Sequence, residues 1–166
     1  MKRITFLMLA VVTAFSTLHA QDKPASPPAT AEGKIGATTV KIAYSQPSAK
    51  GRKIMGDLVP YGEVWRTGAN AATTIEFDKP VKLEGKDLAA GKYSLYTIPG
   101  EKEWTIIINK TAKQSGTKYS ENEDALRFTV VPTKTSAPVE TFNIAVVKDE
   151  VQLKWENTQV AFKVKG

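Results

Sequence analysis

Residues 93–109 read YSLYTIPGEKEWTIIIN and contain the clearest pair of strands in the chain. Apolar and polar residues alternate on both sides of the run Pro-Gly-Glu-Lys at 99–102, and such runs favour a turn. Alternation with a period of two predicts half-buried strands, and a short turn between them predicts an antiparallel hairpin. Ile107 makes both faces of the second strand apolar, so we expect that strand to be central in its sheet.

The same alternation recurs on both sides of this hairpin. The apolar positions are Val40, Ile42 and Tyr44; Ile75 and Phe77; Leu126, Phe128 and Val130; Phe142, Ile144 and Val146; Val151, Leu153 and Trp155; and Val160, Phe162 and Val164. The last two groups are out of phase, so a bulge or turn at 156–158 is needed to keep both on the core side. Short turns and no long amphipathic helix predict one all-β domain, an antiparallel β-sandwich-like fold or a partly open barrel.

Residues 46–72 interrupt this rhythm for 27 residues. Loops of that length are usually functional or disordered. This loop carries seven large apolar residues, so we expect it to be ordered: Ile54, Met55, Leu58, Val59, Tyr61, Val64 and Trp65. The spacing within 54–59 is also compatible with a short helix that ends before Pro60.

The N-terminal residues have the pattern of an export signal. Lys2 and Arg3 precede an apolar run at 4–15, and Ala20 is a small residue suited to cleavage before Gln21. We therefore expect a signal peptide at 1–20, a disordered Pro/Ala-rich tether at 21–32 and the β-domain at 33–166. The expected location is periplasmic or secreted, without membrane insertion after cleavage.

Composition excludes several chemistries from the cleaved chain. The full sequence has one histidine, His19, which lies in the predicted signal peptide, and it has no cysteine. Ser-His-Asp and Cys-His catalysis, thiol redox chemistry, disulfides and zinc sites built on His or Cys are therefore excluded. We expect no metal and no cofactor. The net charge of +4 left after cleavage comes from lysines spread along the chain, which favours solubility over nucleic-acid binding.

The best candidate site is the run Trp65-Arg66-Thr67-Gly68-Ala69-Asn70. Arg66 offers a fork of donors for a carboxylate or phosphate, and Trp65 offers a face for stacking. Asn70 both donates and accepts hydrogen bonds. The same run also fits a structural role, with Trp65 in the core, Arg66 paired with a carboxylate and Asn70 in a turn. The candidate ligand-binding residues are Trp65, Arg66, Thr67, Asn70, Tyr61 and Arg52.

Several segments resemble one bacterial family. They are YSQPS at 44–48, KGRKI at 50–54, LVPYG at 58–62, VWRTGAN at 64–70, AGKYSLYTIPG at 90–100, EWTII at 103–107, DALR at 124–127 and WEN at 155–157. Together they resemble the domain of unknown function 2911 family over about residues 35–164. The resemblance implies an exported β-sandwich-like domain, common in Bacteroidetes-type bacteria, with no established reaction.

The chain departs from that family at three positions. Many relatives have Arg at Gln46 and Glu at Ala71, and some have His at Tyr96. If relatives use that Glu and His for metal binding or acid–base chemistry, this chain lacks both groups, which argues against a metal site here.

These observations favour a non-catalytic binding or accessory module whose 46–72 loop takes a small molecule or an envelope protein. One alternative is a hydrolase or lyase acting on glycans through carboxylates such as Asp57 and Glu63, because glycosidases need no histidine. Another is an envelope structural or assembly protein that pairs with a partner through a strand edge.

Overall fold

A computed structural model describes residues 25–112 and 118–166, which fold into two antiparallel sheets. The strands are β1 (Pro28–Ile35), β2 (Thr38–Ser45), β3 (Thr73–Phe77), β4 (Val81–Leu83), β5 (Lys86–Leu88), β6 (Gly91–Ile98), β7 (Trp104–Asn109), β8 (Asp124–Val130), β9 (Thr133–Val147) and β10 (Glu150–Lys165). The sheet orders are β1-β2-β3-β6-β7-β8 and β5-β4-β10-β9. The sheets are not closed into a barrel, so the prediction of an all-β sandwich is confirmed.

The core lies between the two sheets and is built from the alternating apolar positions. Val40, Ile42, Ile75 and Phe77 are buried on the larger sheet, and their polar neighbours face outward. The predicted hairpin joins β6 to β7, with Leu95 opposite Ile108. Removing these side chains from water is the main force that holds such sheets together.

β10 reverses direction inside the element. Fully extended, its 16 residues would span about 50 Å, yet the Val164 N–H donates to the Asp149 carbonyl at 2.7 Å. Glu156, with φ of 53°, lies between the two arms, and the β9 register shifts on either side of it. Because of this reversal, the apolar residues before Glu156 and those after it face the same core. They are Val151, Leu153 and Trp155 before it, and Val160, Phe162 and Val164 after it. The predicted bulge or turn at 156–158 is therefore confirmed.

β7 is internal but lies second from the edge, between β6 and β8. Ile107 is buried on the outer face of the sheet, in a small cluster with Ala72 and Tyr96. Tyr119, from the connection between β7 and β8, packs edge-on against Tyr96 with ring centroids 5.0 Å apart. The second apolar face of β7 is therefore explained by its packing in this cluster. The prediction that β7 is central in its sheet is wrong.

The predicted tether is partly wrong. β1 begins at Pro28 and pairs with β2 along its whole length, and Ala31 is buried against the core. Pro28 is tolerated because it is the first residue of an edge strand, where it removes no interior ladder bond. Residues 28–32 are therefore strand, while residues 1–24, including the predicted signal peptide and cleavage site, lie outside the described residues.

The short helix considered for 54–59 is not formed. Val59 N–H donates to the Ile54 carbonyl at 2.9 Å, and Gly56 N–H donates back to the Val59 carbonyl at 2.9 Å. Gly56 has φ of +81°, which ends any right-handed helical path. Across 25–112 and 118–166 the only helix is a single 3₁₀ turn at Glu121–Glu123. No helix in these ranges is long and apolar enough to cross a membrane.

Candidate functional site

The 46–72 loop begins by covering the outer edge of β9. Ala49 N–H donates to the Glu140 carbonyl at 2.8 Å, and Phe142 N–H donates to the Pro47 carbonyl at 2.9 Å. Lys50 N–H donates to the Glu140 side-chain Oε1 at 2.7 Å. An exposed strand edge invites pairing with other chains, so this contact protects β9 as well as anchoring the loop.

Tyr44 and Gln46 extend the same contact across the sandwich. The Tyr44 hydroxyl accepts from Ile144 N–H at 3.1 Å and lies 3.4 Å from the Ile144 carbonyl oxygen. Gln46 Nε2 donates to the Tyr44 hydroxyl at 3.2 Å and to the Phe142 carbonyl at 3.3 Å. The first segment of the family signature, YSQPS, therefore joins the larger sheet to β9.

Trp65 packs in an aromatic group beside the core. Its ring stacks on Trp155 at 5.9 Å and 18°, and it meets Phe142 and Trp104 edge-on. Trp65 Nε1 donates to the Gly68 carbonyl at 3.2 Å, and its backbone bridges to Thr97 of β6. Trp65 therefore fixes the loop to both sheets, and only part of it remains accessible.

Thr67 and Asn70 shape the turn that follows. Both have positive φ, 57° and 60° respectively. Thr67 is fully buried, with its Oγ1 3.2 Å from Thr97 Oγ1, and its carbonyl accepts from Thr73 Oγ1 at 2.6 Å. Asn70 Nδ2 donates to the Ser26 carbonyl at 3.3 Å. These contacts give both side chains structural partners.

Arg66 differs from its neighbours because its side chain has no hydrogen-bond or ion-pair partner among the described residues. Its Nε is enclosed by protein and has no hydrogen-bond partner among the described residues. None of the ion pairs in that part of the chain involves Arg66. It lines a cleft of about 260 Å³, which we call the Arg66 cleft, bordered also by Arg52, Trp65 and Trp155. Two arginines and no acidic residue line this cleft.

Arg52 is already partly engaged, and Tyr61 lies elsewhere. Arg52 Nε donates to the Ala49 carbonyl at 2.9 Å, and its Nη2 donates to the Ser48 carbonyl at 2.8 Å. Tyr61 borders a different cleft of about 290 Å³, with Trp104. The structure therefore brings together Arg52, Trp65 and Arg66 of the six candidates, and it leaves Tyr61 apart.

Sequence reasoning missed two kinds of residue in the Arg66 cleft. Trp155 comes from β10, and Leu58 and Val59 supply apolar lining from the loop itself. The aromatic ring of Trp155 and the resemblance of WEN at 155–157 to the family were the available signals for this residue. Asp57 and Glu63, the carboxylates considered for hydrolysis, are exposed and do not line this cleft.

A second polar group, around Tyr119, is fully paired. Asp124 accepts from Tyr119, Arg127 and Asn109, and Arg127 also donates to the Tyr119 hydroxyl. Partial burial and the bond to Asp124 raise the pKa of Tyr119 to about 12. This network pins the connection between β7 and β8. In 25–112 and 118–166, no three His, Cys, Asp or Glu side chains are grouped to hold a metal ion.

Comparison with known proteins identifies one family. No curated protein and no solved structure matches the chain. The model of a family described as protein of unknown function (DUF2911) matches residues 26–164, from just before β1 to the penultimate residue of β10. That span covers most of the 166 residues and includes the whole 46–72 loop. The chain therefore belongs to the DUF2911 family.

Proposed function

We propose that this protein is an exported, non-catalytic binding module that holds a small anionic molecule in the Arg66 cleft. The observation that carries the proposal is the enclosed, unpartnered Nε of Arg66. Buried polar groups in folded proteins nearly always have partners, and those that do not call for an explanation. An anion bound at the terminal nitrogens would balance the charge of this partly enclosed guanidinium, and that is the explanation we propose.

The electrostatics of the cleft support an anion. Arg52 and Arg66 border it without a lining carboxylate, so their fields add at the opening. Leu58, Val59 and two tryptophan rings form part of the lining, and where such groups exclude water they strengthen an ion pair formed beside them. A guanidinium presents donors in a planar fork that matches carboxylate and phosphate oxygens.

The test is a thermal-shift and calorimetric screen of the full cleaved chain. The probes are acetate, phenylacetate, glucuronate and inorganic phosphate, with glucose as the neutral control. A ligand at about 100 times its Kd raises the unfolding free energy by about 2.7 kcal/mol. We expect at least one anion to bind the wild-type protein and to lose at least tenfold in affinity in Arg66→Ala.

The matched control is Lys102→Ala, which removes one positive charge from the exposed β6–β7 turn, outside the cleft. This variant is expected to bind like the wild type. If both variants lose the same affinity, the effect comes from net charge and not from Arg66. If no anion binds the wild-type protein, the proposal is wrong.

A further inference from the structure

We infer that the ligand of the Arg66 cleft is a single carboxylate carried on a compact apolar body. The inference rests on the proposed binding function and adds the chemical class of the ligand. It follows from three properties of the cleft, namely the donors left free, the scarcity of other polar groups and the volume.

The free donors suit one carboxylate. Arg66 lines the cleft and its Nε is enclosed, so we infer that its two terminal nitrogens are the donors that meet the ligand. Two parallel N–H donors match the two oxygens of a carboxylate. Arg52 already gives Nε and Nη2 bonds to backbone carbonyls, so it adds charge but only part of a second fork. A phosphate dianion, with more oxygens to satisfy, fits these donors less well.

The remainder of the lining is poor in hydrogen-bonding side chains. Apart from the two arginines, the polar side chains on the cleft are Ser26 and two tryptophans, whose indole N–H groups already donate to backbone carbonyls. A sugar acid would bring several hydroxyl groups, and each hydroxyl buried without a partner costs free energy. Leu58, Val59 and Trp65 instead offer apolar contact, which favours a hydrocarbon or aromatic body.

The volume limits the size of that body. An apolar cavity of about 150 Å³ holds a benzene ring. The Arg66 cleft, at about 260 Å³, therefore has room for one ring and a carboxylate, or for a short branched acid. Phenylacetate is the probe that matches charge, size and polarity together.

The experiment measures the Kd of phenylacetate against four analogues that each change one property. Phenylacetamide removes the charge, acetate removes the body, glucuronate makes the body polar and phenyl phosphate replaces the carboxylate. We expect phenylacetate to bind at least tenfold more tightly than each analogue. We also expect its affinity to fall at least tenfold in Arg66→Ala and to recover in part in Arg66→Lys.

A second variant tests the apolar body without touching the charge. Ala69→Leu fills the cleft from its lining, so it should weaken phenylacetate more than acetate. Urea unfolding of each variant verifies that it is folded. If glucuronate or phenyl phosphate binds best and still depends on Arg66, the ligand class is wrong and the binding function stands. If no probe distinguishes wild type from Arg66→Ala, both proposals fail.

Discussion

Arg127 and Arg66 are both half-buried, but their surroundings are opposite. Arg127 is held by Asp124, Glu121 and the Tyr119 hydroxyl, so its charge is balanced within the fold. Within the part of the chain that the structure describes, the Arg66 side chain has no such partner, and its Nε is enclosed. An arginine that is paired within the fold has its charge balanced. An unpaired arginine in a cleft lowers the free energy of unfolding, and a bound anion would raise it again.

Tyr119 should make stability depend on pH in the alkaline range. Its pKa is raised from 10.0 to about 12 in the folded chain, chiefly by burial and by its bond to Asp124. As the pH rises above 10, the unfolded chain loses this proton first, so the stabilising contribution is complete below pH 10 and lost by about pH 12. We expect the stability difference between wild type and Tyr119→Phe to shrink over that window.

Urea unfolding at about pH 9 and about pH 11.5 measures this difference, and the many lysines cancel between the two proteins. A difference that is the same at both pH values would contradict the raised pKa.

At the scale of elements, sequence periodicity predicted the strands and failed in the 46–72 loop. The alternation at Ile75 and Phe77 predicts which face of the strand is buried. This works because the period of two can be seen within the sequence of a single strand. Within the loop, Ile54 and Val59 are buried by contacts distant in sequence, so helical spacing misled. The sequence also could not predict that Arg66 has no ion-pair partner among the described residues, because that depends on which carboxylates lie near it in space.

Gly68 should tolerate a side chain poorly, because the atom that a Cβ would meet belongs to the backbone. Its φ is +152°, and a Cβ there would lie 3.0 Å from the Ser45 carbonyl oxygen. Both effects oppose Gly68→Ala, for a loss of roughly 2–3 kcal/mol of unfolding free energy.

Gly51→Ala is the matched control. Gly51 also has positive φ, 71°, but a Cβ there meets nothing within 4 Å. It should cost only the backbone term, about 1 kcal/mol. Urea unfolding measures both variants, and equal losses would show that crowding against Ser45 is unimportant.

At the scale of the whole molecule, the N-terminal strand completes the sandwich. β1 is an edge strand that pairs along its full length with β2 and packs across the sandwich on Val146 of β9, close to Gly33. Pro and Ala in 28–32 suggested a tether because small residues give little hydrophobic signal on their own. Their strand conformation depends on β2, which supplies the hydrogen bonds.

A chain that begins at Gly33 should therefore be less stable than one that begins at Ala25. The shorter chain lacks buried Ala31 and exposes the edge of β2, so we expect a lower midpoint of thermal unfolding and association at high concentration. Scanning calorimetry and light scattering check this. If both chains have the same midpoint and scatter light as monomers, residues 28–32 do not stabilise the sandwich and the prediction is wrong.

The Arg66 cleft also has a consequence for the order of events during synthesis. The ribosome delivers Arg66 long before Trp155, and Tyr44 meets Ile144 across 100 residues of chain. A growing polypeptide therefore has no complete Arg66 cleft until its C-terminal quarter has emerged. If the proposed ligand binds there, only a chain synthesised almost to its end can hold it.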